Sequence, residues 1–519
     1  MPTKKLILTY VDSLRTDMLL RAVAEGRAPT FGALIERGVL VPDCVSSFPS
    51  VTPVACAEMV TGAGAEGHWI SGMNWYHRLE RRYVEYGSSL EASRAFGIFR
   101  ALYDLVYNLN LAHLNPGIET LFEQLDDAEL RTACTPFLIY RGRHRHQVSL
   151  EGLLRRAVDA TRLKFRHHTW GPAELFYGDL YASSEVPCRS TSIPGSRDGY
   201  SACCAAELAK ADGFDFLLFS LPDNDNYSHR FGPEASVESI AKADRCFSKL
   251  VDAAGGLDAF LDDHALILLA DHAQTPVHRG LPLVDLLARD WAVLRPSESR
   301  PESAQLAVSP TGRAAHVYLL PGEGERADPK AVRRALNVIE GVDLVCRLET
   351  AEGAPLRREE PGAPEAGSVA VVERAGMALR FRPAGVKRVD PVSEGQRVSP
   401  AADLRGGRWE VEGELAVLEA SVEDGRLRSE AYPDPLGRVW SALSGPHAGD
   451  FLLSLEPGYE AVDWGGVTHA GGGSHGSLLA GDSLGPLLFV GCGPADASER
   501  DQWNLSDVAP IVRHHFGLT

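Results

Sequence analysis

Asp225 and His229 lie four residues apart in a polar stretch, 220–233, that follows an apolar run at 214–219. On a turn or a first helical turn that spacing puts both side chains on one side. There they can reach a single cation that accepts carboxylate oxygen and imidazole nitrogen. Taken alone, the loop reads equally well as polar surface, because Asp and His are ordinary loop residues. A second apolar run, 265–270, delivers Asp271 and His272 at its end. The Gly-rich stretch 471–476 carries His475 and precedes the apolar run 484–490, and the first apolar run, 5–11, ends at Asp12. Four apolar runs that each adjoin a carboxylate or an imidazole are hard to obtain by accident.

A hydroxyl group belongs with these ligands. In the stretch 46–62, Ser46, Ser47, Ser50 and Thr52 precede a helical-looking segment in which Pro53 suits the first helical position, which would make Thr52 the N-cap. As a cap it would merely accept from the amides of the turn. Beside a metal and a helix N-terminus the same hydroxyl could ionise and attack phosphorus.

In this order, Asp12, Thr52 nine residues before Thr61-Gly62, Asp225 with His229, Asp271-His272 and His475 resemble the type I phosphodiesterase and nucleotide pyrophosphatase branch of the alkaline phosphatase superfamily. The resemblance runs the length of the chain, through 68–76 and into 506–518. It implies two zinc ions, one held by Asp225, His229 and His475 and the other by Asp12, Asp271, His272 and Thr52, with manganese or iron as alternatives. It also implies that Thr52 attacks to give a phosphothreonine that water opens, and that Asn74, or Met73 in an ungapped register, faces a phosphoryl oxygen. The chain departs from the family's usual pattern at Ser13 and Ala273, where glycine is common.

Strand ends that converge on one crevice are the mark of an open α/β sheet. We therefore expect a three-layer α/β/α sandwich with a mainly parallel central sheet and an inserted, partly β subdomain. Residues 1–294 and 446–519 would form the catalytic domain, and 295–445, with its Pro- and Gly-rich stretches and strand-like segments near 315–320, 368–372 and 379–382, the insertion. The chain has 519 residues, 44% hydrophobic and 24% charged, enough to bury a substantial core. A net charge of −18 disfavours a nucleic-acid polymer as partner, and a small phosphorylated substrate is expected instead. No stretch approaches the ~18 apolar residues of a membrane span. Nine scattered cysteines and no leader-like N-terminus suggest reduced thiols and a cytoplasmic setting.

Other features serve packing or recognition. Residues 95–107 read as a buried or capping helix in which Arg100 and Asp104 pair. The basic stretch 141–146 could guide an anion or be a solvated turn. Phe48, Trp69, Trp75 and Tyr76 could stack on an organic group or be core, and Arg78, Arg81 and Arg82 read as a solvated edge. A sulfatase is a rival that lacks its maturation motif here, since 134–138 has no Arg at the required place. A rival of another class is an inactive, metal-stabilised binding module.

Overall fold

The computed structural model describes residues 3–147, 168–178, 181–188, 197–298, 301–322, 326–350, 367–385 and 399–518, with 353–354, 356, 362 and 364–365. Much of the Pro- and Gly-rich sequence at 352–367, within the expected insertion, lies outside the described residues.

An eight-stranded mixed sheet forms the centre. Its order is Val39–Val45, Leu484–Val490, His264–Leu269, Lys5–Val11, Phe216–Leu221, Thr132–Cys134, Glu174–Tyr177 and Tyr181–Ala182. The five strands from His264–Leu269 to Glu174–Tyr177 are mutually parallel, and the outer pairings are antiparallel. The middle strands are buried on both faces, which is why they read as continuous apolar runs. Alternate residues feed separate cores: Leu6, Leu8, Leu218 and Ile267 join one, and Ile7, Leu217, Phe219 and Leu268 the other. Helices Thr52–Thr61 and Val508–His515 contribute to the first core, while Thr16–Ala24 and Val237–Ala253 contribute to the second. The expected three-layer arrangement follows.

A second, ten-stranded sheet starts at Leu306–Thr311 and Ala314–Leu319 and continues through Phe451–Leu455 to an edge formed by Arg426–Arg428 and then Ser421–Glu423. It therefore takes in a strand beyond residue 445. His316 is a strand residue, as expected, and its Nε2 lies 2.8 Å from the Ser71 carbonyl. No helix among the described residues is long and apolar enough to cross a membrane.

Three local expectations need correction. Cys188 and Cys203 form a disulfide, while seven cysteines are free. Their spacing carries no motif, and only the fold brings the segment after Tyr181–Ala182 back against the helix Arg197–Lys210. The helix expected at 95–107 is broken at Gly97, whose φ is +95°, into Leu90–Phe96 and Ile98–Tyr103, followed by a π-helical segment Asp104–His113. Arg100 is exposed there, and Asp104 instead takes both guanidinium nitrogens of Arg82, at 2.7 and 3.0 Å. That bidentate pair outcompetes a single helical contact.

Candidate metal and nucleophile site

Three neighbouring parallel strands end together. Tyr10 of Lys5–Val11 lies opposite Ser220 on one side and Leu269 on the other. Asp12, the helix Asp223–Phe231 with Asp225 and His229, and Asp271-His272 therefore emerge on one edge. His475 comes from further away. Gly473–Ser474 pairs with Thr275–Leu281, the strand just after His272, and so carries His475 to the same place.

Six of the seven residues singled out from the sequence lie in two groups. Asp225, His229 and His475 bring ligand atoms within 4.8 Å of one another, and so do Asp12, Asp271 and His272. The His272 and His475 rings stack at 3.7 Å, which puts the two groups side by side. The Thr52 Oγ1 lies 3.2 Å from His272 Nε2. Thr52 is the first residue of its helix and Val51 is the cap, one position away from the expected register. The nearby serines are committed or apart: Ser47 donates to the Pro49 carbonyl, Ser50 to the Ser477 carbonyl, and Ser46 Oγ is buried without a partner.

Asn74 is a different case. It starts the strand Asn74–His77, is 1% exposed and donates its amide to the Pro310 carbonyl. That amide serves the contact between 70–74 and the Leu306–Thr311 strand. Met73 is only partly buried, but its thioether is no hydrogen-bond donor.

The residues fit divalent metal. His229 Nδ1 lies 2.7 Å from the Gly473 carbonyl and His475 Nδ1 lies 2.8 Å from the Ser50 carbonyl. His272 Nδ1 lies 3.2 Å from the Ala273 carbonyl. Each carbonyl holds a proton on Nδ1 and leaves the Nε2 lone pair for the cluster, the orientation that outer hydrogen bonds give to metal-binding imidazoles. Asp12 Oδ1 is buried and has no hydrogen-bond partner, with His272 Nε2 at 3.9 Å. Burial pushes the Asp12 carboxyl well up, and the charges of Asp271 and Asp225 add to this. Burial likewise raises Asp271 to about 7. Burial opposes charge on Asp225 and His229 too, yet each stabilises the other, holding Asp225 well below the usual carboxylate range and raising His229 to about 9. Burial lowers His272 to about 4, and burial with the charges of two neighbouring imidazoles holds His475 well below its ordinary value. Three carboxylates crowded where water is scarce call for cations.

The second sheet braces this cluster. Arg313 and Asp482 form a fully buried ion pair at 2.6 Å. Arg313 N–H also donates to the His475 carbonyl at 2.7 Å, and Asp482 accepts from Thr275 and from Ser477. At Gly312, φ +65°, a Cβ would lie 2.3 Å from that His475 carbonyl, so only glycine fits the turn. Arg438 on the helix Pro435–Ser444 donates to the carbonyls of Ser47 and Leu478, tying the Thr52 loop to the His475 loop. Asp482→Ala leaves a buried guanidinium unpaired, so we expect a loss of about 3–5 kcal/mol, read as a lower urea midpoint. An unchanged midpoint would show that the pair is not a brace.

Other sequence readings resolve in favour of packing. Trp75, Tyr76 and Phe48 are buried, and Trp69 is partly exposed. The basic stretch is partly solvated: Arg143, His144 and Arg145 are exposed, with Arg143 reaching Asp127 and Glu119 at 2.7 Å, while Arg141 is buried against Glu123 at 3.0 Å. Arg78 turns inward, contrary to expectation, and pairs with Asp450 at 3.3 Å. Sequence reasoning missed His469, which stacks on His229 at 4.0 Å and lies 2.8 Å from Glu460. Its place six residues before His475 was the available signal.

Residues 6–380 match the protein family described as type I phosphodiesterase / nucleotide pyrophosphatase. Among solved structures the chain is similar to murine ectonucleotide pyrophosphatase / phosphodiesterase 5, at 14% identity and a TM-score of 0.53, over 99% of this chain and 96% of that one. An inactive form of that murine protein in complex with AMP gives a TM-score of 0.54 at 14% identity, with the same coverage. Phosphonoacetate hydrolase from Sinorhizobium meliloti 1021, in complex with phosphonoformate, gives 0.51 at 14% identity over 98% of this chain and 95% of that one. No curated protein matches the chain. The chain thus belongs to the type I phosphodiesterase / nucleotide pyrophosphatase family and is a hydrolase of phosphoester bonds.

Proposed function

We propose that the protein is a two-metal phosphodiesterase or nucleotide pyrophosphatase with Thr52 as nucleophile. Asp225, His229 and His475 would hold one divalent ion, and Asp12, Asp271, His272 and Thr52 the other. Zinc suits this mixed nitrogen and oxygen donor set, as do manganese and iron. When bound, the ions supply positive charge that favours an ionised hydroxyl and offsets charge on the phosphoryl and leaving oxygens. The observation that carries the reading is the Thr52 hydroxyl, 3.2 Å from His272 Nε2 at the start of a ten-residue helix. Thr52 attacks phosphorus, the leaving alkoxide departs with a proton, and water opens the phosphorylated threonine. The segments on which it depends, 1–294 and 446–519, form the catalytic unit in this reading, with 295–445 as an accessory one.

Diesters are the proposed substrates. A monoester carries an extra charge that a site must meet with further cations. Of the three arginines that follow Thr52 most closely, Arg78 and Arg82 are spent on Asp450 and Asp104, and Arg81 is exposed to solvent. The relatives' bound AMP and phosphonoformate are small phosphorylated ligands, which supports a small-molecule substrate. The test compares kcat/KM for bis-p-nitrophenyl phosphate, a dinucleotide and p-nitrophenyl phosphate. We expect the diesters to lead by about tenfold or more, a difference of roughly 1.4 kcal/mol in transition-state binding. A monoester preference would overturn the diester assignment and move the enzyme toward phosphatase or phosphonate chemistry. No turnover of any of them by metal-loaded protein would favour the inactive binding module.

A further inference from the structure

We propose that Ser13 and Gln274 are positioning residues that join the two ligand groups into one unit, an inference that rests on the two-metal reading above. Ser13 follows Asp12 directly and Gln274 follows His272 by two. Ser13 is 2% exposed and has a φ of +57°, a left-handed conformation that burdens a residue with a Cβ and suits glycine. The backbone here would accept glycine more easily, so the hydroxyl needs a reason.

The hydrogen bonds supply it. Gln274 Nε2 donates to Ser13 Oγ at 3.1 Å and to Asp225 Oδ1 at 2.7 Å. Ser13 Oγ has one proton, and it donates that to Asp225 Oδ1 at 2.9 Å. His272 Nδ1, 3.1 Å from the same Oγ, must then be the donor. The chain runs from His272 Nδ1–H to Ser13 O–H to the Asp225 carboxylate, with the Gln274 amide bracing both oxygens. It links a ligand of one group to a ligand of the other. Two consequences follow. The single His272 Nδ1 proton is shared between Ser13 Oγ and the Ala273 carbonyl, and both acceptors keep it on Nδ1, so Nε2 is presented as a lone pair beside Thr52. Asp225 Oδ1 already accepts two donors from this pair, which turns its remaining coordinating capacity in a fixed direction. Ser13 N–H further donates to Asp271 Oδ1 at 3.1 Å, so one residue touches ligands of both groups through backbone and side chain.

Metal affinity and metal-free stability separate positioning from plain packing. Zinc binding to the full-length protein, stripped of metal, is measured by competition with a chromophoric chelator for wild type, Ser13→Gly, Gln274→Leu and the double variant, alongside the Tm of each metal-free form. Ser13→Gly relieves the left-handed backbone, so its metal-free Tm should be no lower than wild type. Its zinc affinity should nevertheless fall about tenfold or more at one or both ions. Gln274→Leu should weaken zinc in the same range, and the double variant should lose little beyond the larger single loss, because the two residues share one chain. Unchanged affinity in both single variants overturns the proposal while leaving the two-metal reading in place. Weakened affinity that merely tracks a lowered metal-free Tm overturns it as well. Wild-type protein that binds no zinc, manganese or iron overturns the two-metal reading and this inference together.

Discussion

Chelation that strips the protein of transition metal is expected to abolish phosphodiester turnover, and about two equivalents of zinc per chain are expected to restore it. The expectation comes from two ligand groups whose histidine and carboxylate atoms lie within 4.8 Å of one another, and from the unpartnered, buried Asp12 Oδ1. Such crowding of carboxylates is costly unless a cation joins it. His475 sharpens the test. It enters on the loop braced by Arg313 and Asp482, and its Nδ1 is held by the Ser50 carbonyl, so its removal should take one ligand from the Asp225 group and spare the other group. His475→Ala should therefore carry close to one ion where the parent carries two, by elemental analysis, and lose most of its activity. An unaltered metal count would remove His475 from the scheme. Failure of zinc, manganese and iron alike to bind or activate the stripped protein would sink the two-metal reading.

How much of this could be read from residues alone depended on whether the signal was local. The strands Lys5–Val11 and Leu484–Val490 coincide with their apolar runs because their neighbours bury both faces, with Thr9 the one small polar residue buried inside the first. Strand ends are where polar residues must resume, so Asp12 after Lys5–Val11 and Asp271 after His264–Leu269 stand out. Asp225 and His229 were readable because helical spacing puts them on one side. What escaped was decided by tertiary partners. Asn74 has the right chemistry for an oxyanion, and only the approach of the Pro310 carbonyl shows where its amide goes. Asp104 had a helical partner on paper, and Arg82 reached it from a hairpin instead. The Cys188–Cys203 disulfide joins residues whose spacing matches no motif. Ser13 registered only as a departure from a glycine, and its hydroxyl acquires meaning once Asp225, His272 and Gln274 surround it.

Thr52→Ala is expected to lose roughly 10³-fold or more in kcat, the scale seen when a nucleophile that works as part of a unit is removed, while retaining the parent's metal content. The separation is expected because Asp12, Asp271 and His272 remain as ligands when the hydroxyl goes. Folding should survive too: Thr52 makes no side-chain cap, Val51 holds the cap position, and Pro53 keeps the first turn in shape. Thr52→Ser restores a hydroxyl at the same carbon and should recover a substantial part of the activity, the loss of the γ-methyl leaving the oxygen freer to rotate. An acid quench during turnover of bis-p-nitrophenyl phosphate should trap a phosphoryl adduct on the peptide containing Thr52, and that adduct should be absent from Thr52→Ala. The neighbouring hydroxyls are the controls. Ser47 and Ser50 donate to backbone carbonyls that shape the loop, so Ser47→Ala should keep most of the activity and should not remove the adduct. A dead Ser47→Ala beside a healthy Thr52→Ala would move the nucleophile to Ser47. An adduct that persists in Thr52→Ala would exclude Thr52 as the attacking group even if the variant were slow.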